Sequence, residues 1–350
     1  MRSTIKVLVV DDSALVRQMV SRALSSLDDI EVVGIARTGV EALERIAEVH
    51  PDVVTLDIEM PELSGIEALP HIIKNSTARV VMLSVLDNAD TTYQALVLGA
   101  SEFVGKPKSG IATSMPELTT ELATAIRAAY RVRPERRLAQ RQPHPQGVLP
   151  APRAETIDHV VALTASTGGP PALEAVFTTL PASFPAAYLI VQHLPPGFSE
   201  SLARRLTRAG EIPCVEAAPD MIVEPGIAYL APHGLHMLLA AEGRGYRLVM
   251  QGGTRLHGVR PAGDPLLESV AQQAGPGGVG VVLSGMGVDG ARGLAAISAA
   301  GGRAIIQDEG TSAVWGMPGT AAKRVPSALV VPISGVADAI LGAGSGVARP

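Results

Sequence analysis

Cysteine occurs once in 350 residues, at Cys214. A single thiol excludes an internal disulfide framework and any zinc or iron–sulfur centre built on cysteine. Aromatic residues are scarce too, at 3% of the chain. The cores must therefore be assembled from Val, Leu, Ile and Ala, a bias that suits buried parallel sheets covered by helices. No run of about 18 uncharged apolar residues appears, so no membrane insertion is predicted. The opening residues, Met1-Arg2-Ser3-Thr4-Ile5-Lys6, lack the apolar core of a secretory leader. Together these absences predict a cytoplasmic protein.

Basic residues are few in the first third, where residues 1–107 hold nine Lys or Arg against sixteen Asp or Glu. An acidic surface argues against nucleic acid as a partner. Positive charge collects instead over 127–155, where seven Arg face only Glu135 and Glu155. That stretch reads as a solvated linker, or as a contact for a phosphate or an acidic surface. Against these shortages stands a hydrophobic content of 47%. It excludes a disordered or fibrous chain and supplies two sizeable cores. At about 150 residues per domain, the length also favours two domains.

The basic stretch holds Pro134, Pro143, Pro145, Pro150 and Pro152, and prolines so spaced can neither continue a helix nor sit in a central strand. A linker is therefore placed at 131–155, between a first domain at 1–130 and a second at 156–345. Upstream, residues 4–10, 30–36, 52–56, 79–84 and 102–105 are short, Val-rich strand candidates. Segments such as 14–27 and 39–49 between them repeat apolar residues at helical spacing. Alternating strands and helices predict a doubly wound parallel sheet. Downstream the alternation returns, with strands expected at 158–164, 187–193, 279–284 and 303–307 and an antiparallel excursion within 227–251. The fold class is α/β, with two doubly wound parallel-sheet domains, the second the larger.

In an open α/β sheet, chemistry collects at the C-terminal ends of the strands. The first domain's strand ends supply Asp11-Asp12-Ser13, Asp57, Ser84 and Lys106-Pro107 in that order. Three converging carboxylates repel one another and call for a cation, and oxygen-only ligands suggest Mg²⁺. A hydroxyl and an ammonium on facing loops can hold the oxygens of a phosphoryl group. Singly each residue has a plainer explanation, such as a helix N-cap for Asp12 or Ser13. All of them at successive strand ends is the informative pattern.

In the second domain, the first strand runs into Ala165-Ser166-Thr167-Gly168-Gly169-Pro170. Ser166 stands at a strand–turn–helix junction, near unpaired N–H groups and a positive helix end. An ordinary N-cap serine has the same signature. The next strand ends in His193-Leu194-Pro195-Pro196, and a later one in Gly285-Met286-Gly287-Val288-Asp289-Gly290. Nucleophile, base and orienting carboxylate at three strand ends meet the requirement of a serine hydrolase. A rival reading takes Gly285-x-Gly287-x-x-Gly290 as a dinucleotide fingerprint. Against it, Asp289 would face the pyrophosphate that the helix end should attract. The His233-x-x-His236 pair has no cysteine or acidic partner nearby, which disfavours zinc.

On these residues the first 125 or so positions resemble a response-regulator receiver domain of flavodoxin-like fold. The resemblance implies that Asp57 accepts a phosphoryl group from a sensor histidine kinase. It implies further that Asp11, Asp12 and Asp57 hold Mg²⁺, that Ser84 and Lys106 contact the phosphoryl oxygens, and that Phe103 is the aromatic switch residue. Ser64 departs from the family's usual Asp-Gly pair. Downstream, Ala165–Gly169, Gln192-His193-Leu194-Pro195, Ala231-Pro232 with His236, Arg260-Pro261, 283–291 and Trp315-Gly316-Met317-Pro318 follow the order of the chemotaxis protein-glutamate methylesterases. The implied roles are Ser166 as nucleophile, His193 as base and Asp289 as orienter, with the N–H groups of Thr167 and Met286 as oxyanion donors and no cofactor for the esterase. The implied substrate is the glutamate γ-methyl ester of methyl-accepting chemoreceptors, with glutamine deamidation as a second activity. In the family, phosphorylation loosens the packing of the receiver over the esterase site. Thr164 replaces the usual glycine, and Ala262-Gly263-Asp264 replaces the usual Ser-Val-Asp, changes expected to bear on the substrate groove. A phosphorylation-controlled adaptor without catalysis is the reading from a different class.

Overall fold

The computed structural model describes residues 4–84, 95–96, 98–106, 111–132 and 155–343, with the side chains of 84, 111–114 and 117 left aside. The chain divides into two compact units, Met1–Arg137 and Leu138–Pro350. Most of the expected linker, 133–154, lies outside the described residues, as does the helix expected between the fourth and fifth strands apart from 95–96.

In the first unit, β1 (Ile5–Val10), β2 (Ile30–Ala36), β3 (Val53–Asp57), β4 (Arg79–Ser84) and β5 (Glu102–Gly105) form one sheet in the order β2-β1-β3-β4-β5. Every pairing is parallel. Val7, Val9, Val53, Val81 and Leu83 meet Leu24, Leu122 and Ile126 of the covering helices in one core. That strand order puts the topological switch between β1 and β3, so the crevice opens at the C-terminal ends of those strands. Ser13 caps helix Ala14–Leu24 by accepting from Val16 N–H, so its plainer explanation holds. Ser64 closes a capping box with Glu67 at the start of helix Gly65–Asn75. The next residue must be glycine, because a Cβ on Gly65 would lie 1.8 Å from the carbonyl oxygen of Asp57.

The second unit contains β6 (His159–Ala165), β7 (Ala186–Gln192), β8 (Cys214–Glu216), β9 (Ala228–Leu230), β10 (His236–Glu242), β11 (Gly245–Gln251), β12 (Gly278–Val282), β13 (Arg303–Gln307) and β14 (Leu329–Val331). Seven of these form a parallel sheet in the order β14-β13-β12-β6-β7-β9-β8. The antiparallel excursion is narrower than 227–251, because β9 joins the parallel sheet and only β10 and β11 pair antiparallel. They turn at Glu242-Gly243-Arg244-Gly245. β7 and β12 are buried along their whole length and flank the central β6. Ser166 and His193 follow β6 and β7 directly, which brings them to one edge of the sheet.

Candidate active site

β6 and β7 run parallel with Ala165 opposite Gln192, so Ser166 and His193 leave the sheet at the same level. Backbone bonds fix both, from Ser166 N–H to Ser284 O at 3.0 Å and from His193 N–H to Ala165 O at 3.1 Å. Ser284 fastens the turn from the other side. Its Oγ donates to Thr167 O at 2.7 Å and accepts from Val314 N–H at 3.0 Å. Its own N–H goes to Gln307 Oε1 at 2.8 Å.

Asp289 is 1% exposed, and a buried carboxylate is stable only when its lone pairs are used. Here four donors meet it. His193 Nε2 lies 2.8 Å from Oδ2, where Gly263 N–H also arrives at 2.6 Å, while Asp264 and Gly290 N–H reach Oδ1 at 3.0 and 2.9 Å. Gly263 and Asp264 open helix Gly263–Ala274, so the positive end of that helix also faces the carboxylate. Burial works against ionisation, but the His193 hydrogen bond and the backbone donors outweigh it and hold Asp289 below the usual carboxylate range. An ionised carboxylate only accepts hydrogen bonds, so His193 donates from Nε2, and in the neutral ring the lone pair then lies on Nδ1. Behind this pair, Asp264 takes His257 Nε2 at 2.8 Å on one oxygen and Gly293 N–H at 2.8 Å on the other.

Thr167 and Met286 flank the Ser166 turn. Among the described residues neither backbone N–H has a hydrogen-bond partner. The Met286 loop is clamped where Gly316 and Met317 N–H both donate to Gly285 O. His236 is occupied by the backbone at both nitrogens, accepting from Ala262 N–H and donating to Thr254 O. The first and third glycines of the 285–290 motif pack against Met317 and Ser166, and against Thr164. They serve the loop around Asp289.

In the first unit, Asp11 and Asp57 are buried and Asp12 is exposed. Each offers an oxygen within 4.8 Å of the others. Lys106 Nζ lies 2.7 Å from both Asp11 Oδ2 and Asp57 Oδ1. Burial, reinforced by the charge of Asp11, pushes Asp57 up to about 6 despite Lys106. Burial pulls the Lys106 ammonium down, and its two carboxylates more than reverse that. One ammonium against three carboxylates leaves an excess of negative charge on oxygen donors alone, a set that fits Mg²⁺. Ser84 ends β4, and its side chain lies outside the described residues. Phe103 is buried on β5.

Three features were not read from the sequence. Gly263 and Asp264, part of a change expected to bear on the substrate groove, hold Asp289 through their N–H groups. Gln192 and Ser284 brace the Ser166 turn. Their only sequence signal is position: Gln192 ends β7 and Ser284 lies two residues past β12, and both strands flank β6, which delivers Ser166.

Residues 161–340 match the family model described as CheB methylesterase, and residues 7–112 that of the response regulator receiver domain. The chain is 41% identical to the protein-glutamate methylesterase/protein-glutamine glutaminase of Pyrococcus horikoshii, over 96% of this chain and 93% of that one. It is 40% identical to the protein-glutamate methylesterase/protein-glutamine glutaminase 1 of Xanthomonas campestris, over 97% and 98%. Among solved structures, the Thermotoga maritima CheB methylesterase catalytic domain aligns with 53% of this chain and 97% of that one, at 34% identity and a TM-score of 0.52.

Proposed function

This chain belongs to the CheB methylesterase family, with a receiver domain ahead of the catalytic one, and from that premise we propose that it hydrolyses glutamate γ-methyl esters on chemoreceptors under control of receiver phosphorylation. The observation that carries the reading is the ionised Asp289 bound to His193 Nε2, one strand away from Ser166. Ser166 Oγ attacks the ester carbonyl while His193 Nδ1 takes its proton. The tetrahedral oxyanion is met by the N–H groups of Thr167 and Met286, which have no partner among the described residues. Its collapse expels methanol, which leaves with the proton from His193. Water, deprotonated by the same nitrogen, then opens the acyl-enzyme to free glutamate. Asp289 holds the ring in its tautomer and balances the imidazolium. A glutamine side chain enters the same cycle and releases ammonia, which gives the deamidase activity.

Control is assigned to the first unit. Asp57 is the acceptor of a phosphoryl group from a sensor histidine kinase, and Lys106 and Ser84 hold its oxygens. Asp11, Asp12 and Asp57 would hold Mg²⁺, which when bound neutralises charge on the phosphoryl oxygens. No described helix is long and apolar enough to cross a membrane, and we place the reaction in the cytoplasm. The test is methanol release from methylated receptor cytoplasmic fragment, with and without a phosphodonor and Mg²⁺. Release that rises on phosphorylation supports both esterase and control. Release that ignores it discards the control, and none from several receptors favours a non-catalytic adaptor.

A further inference from the structure

Thr164 stands two residues before Ser166 on β6 and is fully buried. Its side chain fills the space between two glycines. A Cβ on Gly263 would lie 2.3 Å from Thr164 Oγ1 and 2.7 Å from its Cβ, and a Cβ on Gly290 would lie 2.5 Å from its Cγ2. Both glycines give their N–H to Asp289. One β-branched side chain therefore touches both backbone segments that grip the carboxylate.

The two glycines differ in kind. Gly290 has a φ of 81°, which favours glycine whatever the space. Gly263 begins a helix in ordinary backbone, where alanine would serve the helix better. Space alone keeps it bare. Thr164 cannot retreat, because it is locked between Val282 of β12 and Val191 of β7 and its χ1 is stiff. Among the described residues its hydroxyl has no hydrogen-bond partner, so what the side chain gives its neighbours is shape, and the unpaired hydroxyl is a cost.

We propose that Thr164 and Gly263 form a steric pair that sets the distance between β6 and helix Gly263–Ala274, and so the hold of that helix on Asp289. Thr164 is a positioning residue for the His193–Asp289 couple. The effect on ester hydrolysis rests on the function proposed above, whereas the effect on the couple does not.

Four variants of the full chain test it: Gly263→Val, Thr164→Gly, the two combined, and Thr164→Val. The first readout needs no substrate and is the downfield proton resonance of the N–H shared by His193 and Asp289. The second is kcat and KM for methyl-ester hydrolysis. Each of the first two singles is expected to shift or broaden the resonance and to lower kcat by about 10- to 100-fold with KM nearly constant, the cost of a misplaced catalytic group. The double variant, which conserves volume across the contact, recovers the resonance and brings kcat above both singles. Thr164→Val, which keeps the branched shape, avoids the loss seen in Thr164→Gly. Should Gly263→Val not fold, the double variant measured against Thr164→Gly decides the matter. A folded double variant no better than Thr164→Gly, or a resonance indifferent to every variant, overturns the pair. If the native chain releases no methanol while the resonance follows this pattern, the esterase reading falls and the pair stands.

Discussion

Gln192 Nε2 donates to the backbone carbonyl of Ser166 at 2.9 Å and also reaches that of His193 at 3.1 Å. One buried amide thereby ties the turn bearing the proposed nucleophile to the strand end bearing the proposed base. The bond runs through side-chain nitrogen to main-chain oxygen, so it constrains the path of the backbone without engaging the side chain of Ser166 or of His193.

Replacing that amide should therefore affect rate more than binding. Gln192→Leu is expected to lower kcat by about 10- to 100-fold with little change in KM. Steady-state methanol release checks it, and an unchanged kcat would mean that the turn holds itself.

Ser166→Ala removes the atom proposed to form the acyl-enzyme. Methanol release should fall by about 10⁴-fold or more, as when a triad nucleophile is deleted, with the fold intact. A variant that keeps a tenth of the native rate would assign the nucleophile elsewhere.

Asp289 is held below the usual carboxylate range, so the native state binds its proton more weakly than the unfolded chain does. The sign follows: its ionised form stabilises the fold above about pH 4, and that contribution disappears on acidification through its lowered value. Asp289→Asn should thus be less stable than the native protein at pH 7, by about 2 kcal/mol. The gap should narrow below about pH 4. Thermal melts of both proteins across pH 3–7 measure it, and a gap independent of pH would contradict the ionised assignment.

Asp57 behaves in the opposite sense. With its carboxyl pushed up to about 6, the folded receiver binds that proton more tightly than the unfolded chain. The group's contribution to stability is therefore largest at acid pH and declines as pH rises through about 6. Mg²⁺ needs the deprotonated carboxylate, so it should raise the melting temperature of the receiver more at pH 7.5 than at pH 5. Asp57→Asn should melt higher than the native protein in the absence of Mg²⁺ at pH 7.5 and respond little to the cation.

Much of this was legible in the chain. Val-rich segments ending in Asp11, Asp57, Ser166 and His193 announce both the strands and the residues delivered at their ends, because a parallel sheet lines up all its C-terminal edges. What periodicity cannot give is the neighbour. The sequence leaves unstated that the helix opened by Gly263 turns its N–H groups to a carboxylate at 289, and that a side chain at 164 keeps position 263 bare. Those contacts join segments far apart in sequence and involve main-chain atoms, which have no letter of their own. β8 and β14, each three residues long at an edge of the sheet, were missed for a different reason. They are too short for alternation to declare itself, and Val215, Leu329 and Val330 are exposed.

Lys106, shared between Asp11 and Asp57 at 2.7 Å from each, gives the first unit a resident counter-ion. A pocket of like charges with no such partner would depend on its metal to exist at all. With the ammonium in place, two of the three carboxylates are held together by the chain's own charge, so on the proposed reading Mg²⁺ would be a condition of signalling and not of shape.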